Sequence, residues 1–174
     1  MKILVITSIL TAFAITGIAT AQTSSGTLGV TANVQGSLNM TFATDSAGLA
    51  MTGTTTSAGS LPFGNVSMYS STVPANVTKT VIPLTSFDLA TPFDVRVDLA
   101  NSPSATYTLA AILAAADTTN TWKLGALALS GTTASVTVTG AYATAVPYTL
   151  HLTVPATAVA GAISNTINFT ATAN

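Results

Sequence analysis

The chain alternates apolar and polar residues with a period of two, and this pattern constrains the fold more than any other feature. From Phe93 to Leu99 the odd positions are apolar and the even positions are charged. The run from Tyr148 to Val154 repeats the alternation with the apolar residues at even positions, and Pro155 ends it. Because a strand places successive side chains on opposite faces of a sheet, both runs predict strands with one buried and one solvated face.

Shorter alternating or apolar runs occupy the rest of the chain, with prolines at or near their edges. They span residues 61–68, 77–84, 107–111, 122–129, 134–139 and 163–169. Many short strands separated by turn residues predict an all-β fold, either a sandwich or a barrel. The Ser-, Thr- and Gly-rich stretch 43–60 is either an exposed loop or a weak hairpin through Leu49 and Met51. Within it, we expect the sequence Asp45-Ser-Ala-Gly48 to form a turn.

The N-terminus has the order of a secretory signal peptide. Lys2 precedes an apolar run to Ile18, and small residues at 19–21 form a cleavage site before Gln22. We expect residues 1–21 to be removed by cleavage between Ala21 and Gln22, with a retained membrane anchor as the alternative. No later run is long and apolar enough to span a bilayer. The sequence therefore predicts an exported protein that crosses the periplasm and resides outside the cell or at its surface.

Charged residues and cysteines are scarce. The chain has four Lys and Arg residues against five Asp residues, and it has no cysteine. The basic stripe that marks a nucleic-acid binder is absent, and the fold must be held without disulfides. A low net charge weakens repulsion between copies, which favours dense assembly. A neutral secreted monomer is the alternative.

Few side chains could carry chemistry. His151 lies on the polar parity of its strand, which predicts a solvent-facing histidine more than a catalytic one. The spacing of Asp94, Arg96 and Asp98 suits a surface ion pair better than a calcium site. Trp122 is expected to enter the core. With no motif for a catalytic nucleophile or a phosphate-binding loop, we expect a protein that is not an enzyme and holds no cofactor or metal.

The N-terminal part of the mature chain extends the alternation further than one strand needs. Every even position from Leu28 to Phe42 is apolar except Gly36, whereas strands usually have about five or six residues. We therefore divide the segment at Gly36. Residues 22–36 are expected to form an N-terminal extension, and residues 37–174 one domain whose first strand begins at 37–42.

Three short motifs follow one another in a distinctive order. They are Gly26-Thr-Leu-Gly-Val-Thr-Ala-Asn-Val34, Leu61-Pro-Phe-Gly-Asn-Val66 and Ala160-Gly-Ala-Ile-Ser-Asn-Thr-Ile-Asn-Phe-Thr170. In this order the chain resembles spore coat protein U domains, which are subunits of archaic chaperone-usher pili. It is also similar to a related cysteine-free secreted bacterial domain of unknown function.

The resemblance implies an immunoglobulin-like antiparallel β-sandwich that lacks one strand and receives it from a neighbour's N-terminal extension. The donated side chains would be Leu28, Val30, Ala32 and Val34. The implied partners are further copies of the chain or related pilin subunits, together with a periplasmic chaperone and an usher. The leading hypothesis is thus a secreted structural subunit of a cell-surface fibre or coat. The alternative is a secreted monomeric β-sandwich that binds glycan or adheres to a surface.

Overall fold

The computed structural model describes residues 27–55, 57–134 and 136–174. Over these residues the chain forms eleven strands and no helix, which confirms the predicted all-β fold. Consequently, the described chain contains no helix of the length and hydropathy needed to cross a membrane. The predicted signal peptide, with its cleavage site between Ala21 and Gln22, lies outside the described residues.

The strands form two antiparallel sheets and one separate hairpin. In chain order they are β1 (Ser37–Ala43), β2 (Thr52–Thr55), β3 (Ala58–Ser60), β4 (Thr78–Ile82), β5 (Ser86–Ala100), β6 (Thr106–Leu113), β7 (Thr121–Leu124), β8 (Leu127–Ala128), β9 (Val136–Ala141), β10 (Ala145–Pro155) and β11 (Ile167–Ala173). The larger sheet has the order β1-β5-β10-β7-β8, with β4 also paired to β5. The smaller sheet has the order β11-β6-β9, and β2 pairs with β3. Residues 34–174, which include every described strand, form one compact unit, and residues 27–33 belong to another.

Strand β5 is the centre of the larger sheet and has 15 residues. One of its edges pairs with β4 and then with β1, and its other edge pairs with β10. Its odd positions from 87 to 97 are buried, as the alternation predicts. One of these is Thr91, whose Oγ1 accepts a hydrogen bond from Leu49 N at 2.7 Å and donates one to Asn76 O at 3.0 Å. This buried hydroxyl therefore satisfies its polar atoms and fixes two loops against the sheet.

The two sheets share one core. Tyr107 and Leu109 of β6 are fully buried, as are Leu89 and Val95 of β5. Burying a large apolar side chain of this kind stabilises a fold by about 1.5–3 kcal/mol. The prediction that Trp122 enters the core is confirmed, since this side chain is 7% exposed.

Aromatic side chains join the edges of the two sheets. The ring of Phe169 on β11 lies 5.3 Å from that of Phe42 on β1 and 6.1 Å from that of Phe93 on β5, measured between centroids. Both distances lie in the range favoured by tilted aromatic pairs. Strands β1 and β11 are thus close through their side chains although they belong to different sheets.

The stretch 43–60 contains a turn and a hairpin. Asp45 accepts backbone N–H groups through both its carbonyl and its side chain, which confirms the predicted turn. A Cβ atom at Gly48 would overlap the carbonyl oxygen of Pro92, so this buried position requires glycine. The hairpin consists of β2 and β3 and begins at Thr52, three residues after Leu49. Leu49 itself is buried before the hairpin starts.

The prediction of a strand at 61–68 is wrong. Leu61, Phe63, Val66 and Met68 do pack against the core, but the parity changes between Phe63 and Val66 and the segment is irregular chain. Residues 61–73 make no backbone-to-backbone hydrogen bond with any other described residue. The apolar residues of this segment therefore reflect side-chain burial without strand pairing.

The last predicted strand begins too early. Ile163 is 40% exposed and lies before β11, which starts at Ile167 opposite Leu113. Beyond this pair Ala114 N donates to Thr166 O at 2.8 Å, and the side chain of Asn165 then makes the next contact, with its Nδ2 donating to Ala115 O at 2.9 Å. The remaining short runs correspond to strands, with β4 and β8 inside 77–84 and 122–129, β6 extending past both ends of 107–111, and β7 and β9 overlapping 122–129 and 134–139.

Candidate functional site

A large apolar cleft of about 1530 Å³ opens between the larger sheet and irregular segments of the chain. Its floor consists of core side chains from β5, β7 and β10, namely Phe87, Leu89, Trp122, Leu150, Leu152 and Val154. These positions alternate along their strands, so the floor is one half of the buried face of the larger sheet. No described residue of β6 or β9 lines the cleft. The smaller sheet therefore does not cover this half.

Irregular chain lies where a second sheet would be expected to cover the floor. Residues 57–69 and 158–169 line the cleft, and of these only residues 58–60 and 167–169 belong to strands. Leu61, Phe63 and Val66 pack against the core from this side. In irregular segments the backbone N–H and C=O groups are not paired with a neighbouring strand. This part of the fold therefore offers backbone hydrogen-bonding groups beside an apolar surface.

Strand β11 borders the cleft with an unpaired edge. It pairs with β6 on one side, and no described strand pairs with its other side. Strand β1 likewise pairs only with β5 among the described strands. Side chains of both edges, Phe42 and Phe169, line the cleft. An edge with free N–H and C=O groups is a template for an added strand.

The rim of the cleft carries exposed apolar side chains. Leu84 and Val159 are 85% and 93% exposed, and Tyr69 is 72% exposed. Leu84 also has a φ of 60°, a left-handed conformation that leucine rarely adopts. An apolar rim around an apolar floor is typical of a surface that binds another chain.

The candidate donor residues lie outside every strand. Leu28, Val30 and Val34 are 89%, 81% and 70% exposed, and Ala32 is exposed too. Three large apolar side chains on one parity of an extended sequence are thus open to solvent. Strand β1 begins at Ser37, directly after Gly36.

Comparison of the chain with models of protein families, with curated proteins and with solved structures finds no match. The likeness to spore coat protein U domains thus rests on the three motifs alone.

His151 lies on the polar face of its strand, as its parity predicts, and it is half-buried there. Its Nδ1 lies 2.8 Å from Asp88 Oδ2, and Thr153 Oγ1 donates to Asp88 Oδ1 at 2.8 Å. The three side chains lie on the polar face of β5 and β10 and outside the cleft lining. Sequence reasoning missed this cluster because residues 88 and 151 become neighbours only through the register of two strands.

The charged face of β5 forms the predicted surface ion pair. Arg96 Nη2 lies 2.8 Å from Asp98 Oδ1, and both side chains are substantially exposed. Asp94 does not join the pair. Burial raises the pKa of Asp94, and the nearby carboxylate of Asp45 raises it further. Among the described residues, no group of three or more His or Asp side chains is placed to hold a metal ion.

Asp117 organises the loop that positions Trp122 at the cleft. Its Oδ2 accepts hydrogen bonds from Trp122 Nε1 at 2.7 Å and from Asn120 Nδ2 at 3.0 Å. Its Oδ1 accepts the backbone N–H groups of Asn120 at 2.8 Å and of Thr119 at 3.0 Å. Burial alone would raise the pKa of Asp117, but these hydrogen bonds lower it to about 2.

Proposed function

We propose that the protein is a secreted, non-catalytic structural subunit that assembles into a cell-surface fibre or coat by strand donation. In this proposal, the domain is an immunoglobulin-like β-sandwich lacking one strand. Residues 27–35 of one copy enter the apolar cleft of the next copy, where they pair with the unpaired edge of β11. Further copies or related subunits are the partners, and a periplasmic chaperone and an usher would handle the exported chain before assembly.

One observation carries the proposal. Among the described residues, the chain has an exposed apolar segment outside every strand and an apolar cleft that no residue of β6 or β9 lines. Leu28, Val30 and Val34 lie on one parity, as a strand that buries one face requires. The cleft offers an apolar floor beside the free edge of β11. Strand addition uses both features, since backbone pairing supplies affinity and alternate side chains supply specificity.

Substitution of a single donor residue tests the proposal. Val30→Lys would place an ammonium group in the apolar cleft, where burying an unpaired charge costs several kcal/mol. Thr31→Lys adds the same charge on the opposite parity and is the matched control. Both positions are exposed in the single chain, so neither variant should alter its stability.

The mature protein is examined by size-exclusion chromatography and electron microscopy over a range of concentrations. We expect the parent and Thr31→Lys to form linear polymers, and Val30→Lys to remain monomeric under the same conditions. A parent protein that stays monomeric at high concentration would contradict strand donation. If such a monomer also bound glycans, the alternative of a monomeric binding module would be favoured.

A further inference from the structure

Residues 61–70, here called the strap, lie against the cleft without regular structure. Leu61, Phe63, Val66 and Met68 pack on the core. The strap makes no backbone-to-backbone hydrogen bond with other described residues. The floor of the cleft is nevertheless almost fully buried, as the 0% exposure of Leu89 shows. Segments that belong to neither sheet therefore cover the floor of the cleft, and the strap is one of them. The strap lacks the backbone hydrogen bonds that would hold a paired strand in place.

One side chain ties the strap to the larger sheet. Lys79 lies on β4 opposite Leu89, on the parity that faces the core, and it is half-buried. Its Nζ donates to the carbonyl oxygens of Ser67 at 3.0 Å, of Met68 at 3.3 Å and of Ser70. An ammonium group has three N–H donors, so these carbonyls use its whole capacity. Hydrogen bonds from a charged donor are stronger than those between neutral groups.

We propose that Lys79 is a latch that holds the strap over the cleft in the unassembled subunit, and that the latch opens when a donor strand enters. The first half of the proposal, that Lys79 holds the strap in place, concerns the single chain. The second half, that a donor strand releases the strap, rests on the proposed function, because a donor strand beside β11 would compete with the strap for the floor of the cleft. The latch would keep apolar surface covered until a partner strand is available.

The absence of cysteine from the chain makes a clean test of the first half possible. Val66→Cys places one thiol on the strap, and its rate of alkylation in the dilute full chain reports how often the strap lifts. Lys79→Met keeps the apolar stem and removes the ammonium group, so we expect alkylation to become at least about tenfold faster. Lys123→Met, which changes an exposed lysine on β7, should leave the rate unchanged. An equal rate in the Lys79→Met and parent chains would overturn the latch.

A second measurement needs no substitution and covers the case in which Lys79→Met fails to fold. Mild acetylation followed by mass spectrometry compares Lys79 with Lys123 in the parent chain. We expect Lys79 to react at least about tenfold more slowly, because its nitrogen is held by three carbonyls, and equal reactivity would overturn the latch. A synthetic peptide of residues 27–35 is then added.

The peptide distinguishes the claim that Lys79 holds the strap from the claim that a donor strand releases it. An increase in Lys79 acetylation on peptide binding supports release of the latch, and binding without an increase overturns release. If the peptide does not bind while Lys79 and the Val66→Cys thiol remain protected, strand donation fails and the latch of the single chain stands.

Discussion

The carboxylate of Asp117 should stabilise the fold, and this stabilisation should be lost at low pH. The hydrogen bonds from Asn120, Trp122 and Thr119 lower its pKa from 3.8 to about 2 against the opposing effect of burial. This difference corresponds to at most about 2.5 kcal/mol, and solvent screening at a partly exposed site reduces it to about 1–2 kcal/mol. We therefore expect Asp117→Asn to lower the free energy of unfolding by about 1–2 kcal/mol at pH 7.

The sign of the pH dependence follows from the direction of the pKa. Because the folded-state pKa of Asp117 lies below its unfolded value of 3.8, its contribution is complete above about pH 4 and is lost as the pH falls through about 2. Urea unfolding can be followed by the fluorescence of Trp122, the single tryptophan of the chain. Subtracting the variant from the parent at each pH removes the contributions of the other carboxylates. A difference that persists unchanged from pH 7 to pH 2 would refute this account, as would equal stability at pH 7.

Two further substitutions test the packing of the domain, both by urea unfolding. Thr91→Val should lower the free energy of unfolding by about 1–3 kcal/mol, because it leaves Leu49 N and Asn76 O without their partner in the core; Thr80→Val, on the exposed face of β4, is the control and should change little. Leu84→Gly should raise stability by up to about 1 kcal/mol, because glycine adopts the φ of 60° without strain and the leucine side chain buries little. A loss of stability in Leu84→Gly would show that the leucine makes contacts that stabilise the single chain.

The alternation of apolar and polar residues predicted the long strands, because a strand with one buried face requires an apolar side chain at every second position. The odd positions of β5 from 87 to 97 and the even positions of β10 from 150 to 154 are buried, as this rule requires. The rule failed for the strap, where Leu61 and Phe63 are packed on the core by irregular chain. Apolar spacing reports which side chains are covered, and backbone pairing has to be established separately.

Contacts between residues far apart in the chain could not be predicted from the sequence. The pair of Asp88 and His151 depends on the register of β5 against β10, and a slip of one residue would separate them. Lys79 gave no signal either, because its role depends on where an irregular segment places three carbonyls. Asp117 is different, since its partners lie within five residues of it. Asp side chains commonly accept backbone N–H groups two or three residues further along the chain, so Asp117-Thr-Thr-Asn120 carried a local signal that long-range contacts lack.

The energetics of the proposed assembly indicate which part of the donor segment sets its strength. Burying the side chains of Leu28, Val30 and Val34 would contribute roughly 5–9 kcal/mol in total. Loss of translational and rotational freedom on association costs about 4–15 kcal/mol, so side-chain burial alone gives at best a weak complex. Backbone hydrogen bonds along the free edge of β11 would have to supply the remainder. In such an assembly the backbone determines how tightly copies join, and the apolar side chains, interrupted at Gly36, determine the register in which they do so.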